Sequence, residues 1–401
     1  MPTDWHEPNP PCHHGVVPAL LKPLTGYVPT SNLGHRVAAP PNSMLTSKQR
    51  EAATHEPLSF RNALGRGAGA SHEEAGAWIE ESSKQGALQP VSRSIIVYRQ
   101  GRGGHAATGV VADVSLDAYD SGLVKPHEET IAKTARKMAD YMRTTRIYGN
   151  AVALTHRPLP DFQAAIAAHA EGPPTSEFAT PDGMSHQLWL VAGDDAESLC
   201  RSFDAMLYVT DGHHRLAAAS LVASEEGRTD PRLPAALFPS AALTVRSFAR
   251  CITDPELDAA DIVARLGSAF SLESVDELAA RPRHRGEFGM RIKDAFYRLR
   301  MDPAYRSSNP HRSLDVDLLQ EEVLGPIFGI TDPSSDRRLR FVADLSEEHQ
   351  PDTESDCWLL PFPVGIGDVM AVADTGQVMP PKSTWLAPKV PSGLVIRSCA
   401  E

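Results

Sequence analysis

Thirty-three prolines are spread through the 401 residues, outnumbering the 28 glycines. Inside a helix a proline removes a backbone hydrogen bond and clashes with the preceding turn, and in a central strand it removes a ladder bond. The chain is therefore expected to fold from short elements joined by many turns, not from long helices. Apolar residues make up 41% and charged residues 22%, a globular composition without the charge excess of a disordered chain. At roughly 150 residues per domain, the length has room for two to three domains.

The formal charge of −12 argues against non-specific nucleic-acid binding and against a polybasic membrane surface. No stretch approaches the roughly 18 apolar residues that span a bilayer. Met1 to Glu7 lacks the basic and apolar regions of a secretory leader. The expectation is a cytoplasmic protein acting on a small molecule, with no nucleic-acid or membrane partner and with a homo-oligomer left open. Cys12, Cys200, Cys251, Cys357 and Cys399 are scattered and form no Cys-x-x-Cys pair, so they read as ordinary thiols instead of a disulfide framework or a zinc site.

Along the chain, residues 1–30 read as an irregular proline-rich arm, in which His13-His14 beside Cys12 lack further metal ligands at a defined spacing. Residues 31–240 form a first domain and 241–401 an α+β domain packed on it. Ser94 to Tyr98 and Ala106 to Val114 are β-branched, apolar runs joined by Gly101-Arg102-Gly103-Gly104, which predicts a hairpin and not a phosphate loop, since no helix follows the glycines. Ile131, Ala135, Met138 and Met142 recur at helical spacing, so Ile131–Arg146 is predicted as a helix with Glu128 and Glu129 in its first turn. Strands are expected at 242–248, 296–301 and 340–343, and a helix at 316–328. Strands and helices alternate throughout, which favours a mixed α/β to α+β fold.

The most informative segment is Leu207-Tyr208-Val209-Thr210, a strand, followed by Asp211-Gly212-His213-His214-Arg215 and an alanine-rich helix. A turn that ends a strand and opens a helix presents backbone N–H groups and the positive end of the helix dipole, both suited to a phosphate. Gly212, His213, His214 and Arg215 are the expected phosphate contacts. Asp211 would repel phosphate oxygens unless a cation intervened, and magnesium, which binds through one or two carboxylates plus substrate phosphates, would supply one. The motif thus reads as a site for a nucleotide, ATP or ADP, with Mg²⁺ on Asp211. The plainer alternative is that Asp211 caps the helix and pairs with Arg215 across one turn. Glu128 and His127 are the best candidates for a base that deprotonates an acceptor hydroxyl; the helix dipole explains Glu128 equally well. Lys382, Ser383, Thr384 and Lys389 read as either site or turn.

The segments 37–41 (VAAPP), 122–130 (GLVKPHEET), 211–215 (DGHHR), 314–330 and 379–394 (MPPKSTWLAPKVPSGL), taken in order with the Tyr98 hairpin, resemble the prokaryotic family known as domain of unknown function 1015. The resemblance implies a ParB/sulfiredoxin-like core of the kind found in free-serine kinases, with phosphate and metal contacts at Asp211, His213, His214 and Arg215 and a glutamate base at Glu128. Where family members read APPYDV this chain has Ala39-Pro40-Pro41-Asn42-Ser43-Met44, and DGHHRYET is replaced after Arg215 by Leu216-Ala217-Ala218. The implied activity is a nucleotide-dependent phosphotransferase acting on a small hydroxyl-bearing metabolite, a serine-like amino acid being favoured. A nucleotide-binding switch or scaffold without turnover and a metal-dependent hydrolase built on the histidines are the alternatives.

Overall fold

The computed structural model describes residues 19–41, 44–53, 55–63, 71–305, 314–333, 335–343, 357–380 and 382–398. Cys12, the His13-His14 pair, Asn42, Ser43 and Cys399 lie outside them. Contacts divide the chain into two units, one drawn from Met1–Pro126, Thr130–Leu243 and Pro388–Glu401, the other from His127–Glu129 and Thr244–Ala387.

The first unit is a mixed sheet with helices. Its strands are β1 (Leu21–Lys22), β2 (Leu24–Pro29), β3 (Leu88–Arg102), β4 (His105–Ser115), β5 (Val124–Lys125), β6 (Ile147–Tyr148), β7 (Val152–His156), β8 (Ser176–Ala179), β9 (Ser185–Ala192), β10 (Leu207–Asp211) and β11 (Arg232–Pro239). The main order is β5-β10-β7-β11-β4-β3-β9-β8, with β1 on β4 and β2 on β3. β10 with β5 and β11 with β7 are parallel; the other pairs are antiparallel. The expected β3–β4 hairpin forms, and Gly103 and Gly104 take the positive φ of its turn.

The sheet is buried on both faces, because successive side chains of a strand point to opposite sides. Ile95 and Val97 join one core with Val110, Leu154, Leu216 and Val222, whereas Ile96 and Tyr98 join another with Val111, Phe238, Leu394 and Val395. The first of these cores includes apolar residues of helices Ala132–Thr145, Gly193–Ser202 and His213–Glu225. The second takes in Leu394 and Val395 of the C-terminal stretch, while the neighbouring Ile396 packs with Val37, Phe60 and Leu88; all three are fully buried, each side chain worth about 1.5–3 kcal/mol of transfer free energy.

This burial corrects the expected domain limits. The irregular arm does not run to residue 30: Leu21, Leu24 and Val28 are buried strand residues, and Pro23 and Pro29 sit between or at the end of strands, where a missing N–H is tolerated. Nor do residues 241–401 form one body, since 388–398 return to the first unit.

The second unit carries a six-stranded antiparallel sheet over residues 248–361 and a separate two-stranded pair, Thr244–Arg246 with Trp385–Ala387. The single strand expected at 242–248 is interrupted instead by a turn at 240–242 and by Ser247. The helix expected at 316–328 divides into an α-helical Asp315–Leu319 and a π-helical Gln320–Leu324, where the Gly325 N–H reaches back to the Gln320 carbonyl.

Candidate functional site at the β10–α9 turn

Number the helices of the first unit α1 (Gly34–Val37), α2 (Ser47–Ala53), α3 (Phe60–Ala63), α4 (His72–Lys84), α5 (Leu116–Asp120), α6 (Ala132–Thr145), α7 (Pro160–His169), α8 (Gly193–Ser202) and α9 (His213–Glu225). β10 runs straight into α9 through Gly212. The register between β10 and β7 slips so that Thr210 is an extra residue: Val209 faces Leu154 and Asp211 faces Ala153. Such a bulge re-aims the side chain that follows it. Gly212 then takes φ 96°, a left-handed conformation that favours glycine. A Cβ there would also lie 2.9 Å from the Arg215 guanidinium. No side chain among the described residues caps the start of α9.

Asp211 is the hub of the turn. Its Oδ2 accepts from Arg215 Nη2 and its Oδ1 from Lys389 Nζ at 2.7 Å. The Arg215 Nη1 donates to the carbonyls of Asn150 and Ala151 at 3.0 and 2.7 Å, tying the first turn of α9 to the lead-in of β7. Burial alone would raise the Asp211 pKa, but Lys389, then Arg215 and His213, hold it well below the usual carboxylate range. The Arg215 and Lys389 side chains are 21% and 14% exposed and Asp211 keeps about a third of its surface. These groups are thus partly buried and not fully exposed to solvent.

Lys389 comes from the chain's C-terminal stretch, 178 positions from Asp211. That stretch is fixed as a strap across the first unit. Ala39 and Ser392 exchange backbone bonds, the Gly393 N–H donates to the Gly149 carbonyl, and Tyr27 and Ile396 exchange another pair. Arg397 pairs with Tyr148 in β6, and its Nε lies 2.8 Å from Asp113 Oδ2. The strap therefore delivers the lysine beside the lead-in of β7, which Arg215 also holds.

Of the expected phosphate contacts, His213 is 8% exposed at the first helical position. His214 Nε2 accepts the Ile131 N–H at 3.0 Å, so that nitrogen carries no proton and serves as an acceptor, not as a phosphate donor. Arg215 is a brace as much as a fork, since both terminal nitrogens bond within the protein. Asp211 pairs with Arg215 across one turn as the plainer reading expects, but Gly212 holds the N-cap position.

Both carboxylate oxygens of Asp211 already accept from cations, which would compete with a magnesium ion there. A phosphate does fit the charge: one carboxylate between two cations leaves one positive charge beside a helix start. Among the described residues no three His, Cys, Asp or Glu are grouped as a metal ion requires. Cys200, Cys251 and Cys357 are buried free thiols, and burial pushes Cys200 up to about 12, which suits a packed thiol and not a nucleophile.

His127 and Glu128 belong to the second unit. The His127 carbonyl accepts the Met379 N–H at 2.8 Å, its Nε2 lies 3.2 Å from Thr384 Oγ1, and Glu128 forms a parallel bridge with Met379. The PHE and MPPKST segments are thus neighbours. The expected first-turn position of Glu128 and Glu129 is corrected: α6 starts at Ala132 with Ile131 as N-cap, has no acidic residue in its first turn, and ends with Arg146 in the left-handed conformation. The Ile131 N–H bond to His214 holds the chain out of the helix there.

A cavity of about 390 Å³ in the first unit is lined by residues including Arg36, Ala39, Gln49, Glu56 and Arg61, and by none of the turn residues. Its charges are satisfied internally: Arg36 holds Glu56 through two bonds and Arg61 donates to the Pro40 carbonyl.

The model of a family described as a protein of unknown function (DUF1015) matches residues 21–317, more than half of the chain. The chain belongs to the DUF1015 family. Lys389 lies beyond the residues that the DUF1015 model matches. A search of the curated proteins gave no match. Among solved structures, this DUF1015 chain is similar to SbnI with C-terminal truncation from Staphylococcus aureus, at 10% identity and TM-score 0.38, over 70% of this chain and 87% of that one. It is similar to a free serine kinase in complex with AMP, at 17% identity and TM-score 0.37, over 71% and 92%. A conserved hypothetical protein from Pyrococcus furiosus is similar at 16% identity and TM-score 0.37, over 72% and 95%. No described helix is long and apolar enough to cross a membrane.

Proposed function

We propose that this DUF1015 chain is a nucleotide-dependent phosphotransferase whose acceptor is a small hydroxyl-bearing metabolite of the serine-like class, built on a ParB/sulfiredoxin-like core. The observation that carries the reading is the Asp211–Arg215–Lys389 cluster at the opening of α9. It gathers a net positive charge, a left-handed glycine and a helix N-terminus at one point, which is the chemistry that binds a phosphate. A nucleotide held there supplies the phosphoryl group.

In this reading Lys389 and the backbone of Gly212–His214 hold the phosphates. Arg215 fixes the turn against Asn150 and Ala151. Magnesium has no assigned ligand on Asp211, and no step is drawn through it. The nucleotide-binding switch uses the same phosphate contacts, and consumption of the nucleotide separates the two.

The test is incubation of the full chain with ATP or ADP, Mg²⁺ and a panel of hydroxy amino acids, with phosphorylated product read by mass spectrometry. Product is expected from at least one acceptor and none from Asp211→Ala. Nucleotide bound without consumption would replace the enzyme by the switch.

A further inference from the structure

A guanidinium taken out of water is costly in free energy unless a counter-charge goes with it. In the second unit Arg250 is buried without one. It lies in the strand Phe248–Ile252, 3% exposed, with Phe341 and Leu359 opposite it on the two neighbouring strands. Its Nη1 donates to the Phe248 carbonyl at 2.7 Å, and the guanidinium carbon stands 5.2 Å from the centre of the Phe341 ring. Among the described residues no carboxylate pairs with it. Asp317 acts on it only at longer range, and burial pushes its pKa down to about 10. A second cation addresses the same phenylalanine, since the exposed Lys382 holds its ammonium 5.7 Å from the centre of the Phe248 ring.

What Arg250 leaves over has a definite shape. Phe248 takes Nη1 and Phe341 takes a face of the guanidinium, while Nε and Nη2 carry no hydrogen bond to any described residue. Those two nitrogens form one edge of the fork, and their two parallel N–H groups match the two oxygens of a carboxylate. The charge matches as well, one unpaired cation to one monoanion.

We propose that Arg250 is the carboxylate-binding residue of a small-molecule site in the second unit. For the identity of the ligand the proposal rests on the phosphotransferase reading: the carboxylate is the acid group of the hydroxy-acid or hydroxy-amino-acid acceptor. An alcohol or amide of the same shape lacks the group that the fork holds.

The experiment is calorimetric titration of the full chain, without nucleotide, with L-serine and L-lactate and with their matched amides, for the wild type, Arg250→Lys and Arg250→Met, with thermal melts of each. The wild type is expected to bind at least one acid and to bind its amide at least tenfold more weakly. Arg250→Lys keeps the charge but loses the fork, and should lose at least tenfold in affinity. Arg250→Met should abolish binding yet melt no lower than the wild type, since an apolar side chain replaces an unpaired buried charge. A merely structural guanidinium would give the opposite melt. A lower melting temperature in Arg250→Met, unchanged affinity in Arg250→Lys, or no binding of either acid by the wild type overturns this inference. The phosphotransfer assay separates it from the reading it rests on. Product formed equally from L-serine and L-serinamide removes the carboxylate site and leaves the phosphotransferase standing. Acids bound through Arg250 and never phosphorylated keep the site and remove the phosphotransferase.

Discussion

At the residue scale, the turn stands on a glycine that its left-handed backbone demands. Gly212 has a positive φ, and any Cβ would press on the Arg215 guanidinium. Gly212→Ala is therefore expected to destabilise the fold by about 1–3 kcal/mol, read from chemical denaturation, and to weaken pyrophosphate binding in parallel. A change of less than about 0.5 kcal/mol would show that the left-handed bend is not needed. Glu128 has a different standing. The helix dipole no longer explains it, because α6 begins after it with Ile131 as cap. If it is the base for an acceptor hydroxyl, Glu128→Gln lowers turnover about 100-fold or more and leaves nucleotide affinity unchanged; a fall in affinity with turnover intact would assign it elsewhere. The DGHHR segment itself was legible in the sequence because strand, turn and helix start are all local. The partner of its aspartate was not, since Lys389 lies far along the chain and reads equally well as turn or site.

At the scale of elements, the reading of apolar, β-branched runs marked β3, β4 and β10 correctly, since local composition and burial agree there. It failed where tertiary contacts overrule it. Leu21, Leu24 and Val28 were hidden among prolines, and the π-helical turn at Gln320–Leu324 leaves the hydrophobic spacing of 316–328 looking like one helix. Inside the first unit the sheet also buries a polar chain: Tyr98 Oη meets His186 Nδ1 at 2.8 Å, His186 Nε2 meets Thr180 Oγ1 at 2.9 Å, and Thr180 donates to Asp182 Oδ1 at 2.6 Å. Burial pushes the His186 pKa down to about 3. The folded ring stays neutral while the unfolded ring takes a proton below about pH 6.5. The stability it contributes is thus complete above that pH and is lost as pH falls toward 3, at about 1.4 kcal/mol for each pH unit. Denaturation midpoints measured from pH 7 to 4.5 should drop for the wild type and drop less for His186→Gln. Equal slopes would show that the ring does not control this window.

At the scale of the whole molecule, the C-terminal strap links the core to the turn. Gly26 lies so close under it that an added Cβ would stand 2.4 Å from the Ile396 carbonyl oxygen. Gly26→Ala is therefore predicted to lower the melting temperature and also to weaken pyrophosphate binding, although residue 26 is no part of the turn. Loss of stability with affinity unchanged would mean that Lys389 keeps its place without the strap's register. The strap also orders events in time. Asp211 emerges from the ribosome long before its lysine does, so a nascent chain holds that carboxylate against Arg215 alone. The turn reaches its final charge only once the chain has been extended by the 178 positions that separate Asp211 from Lys389.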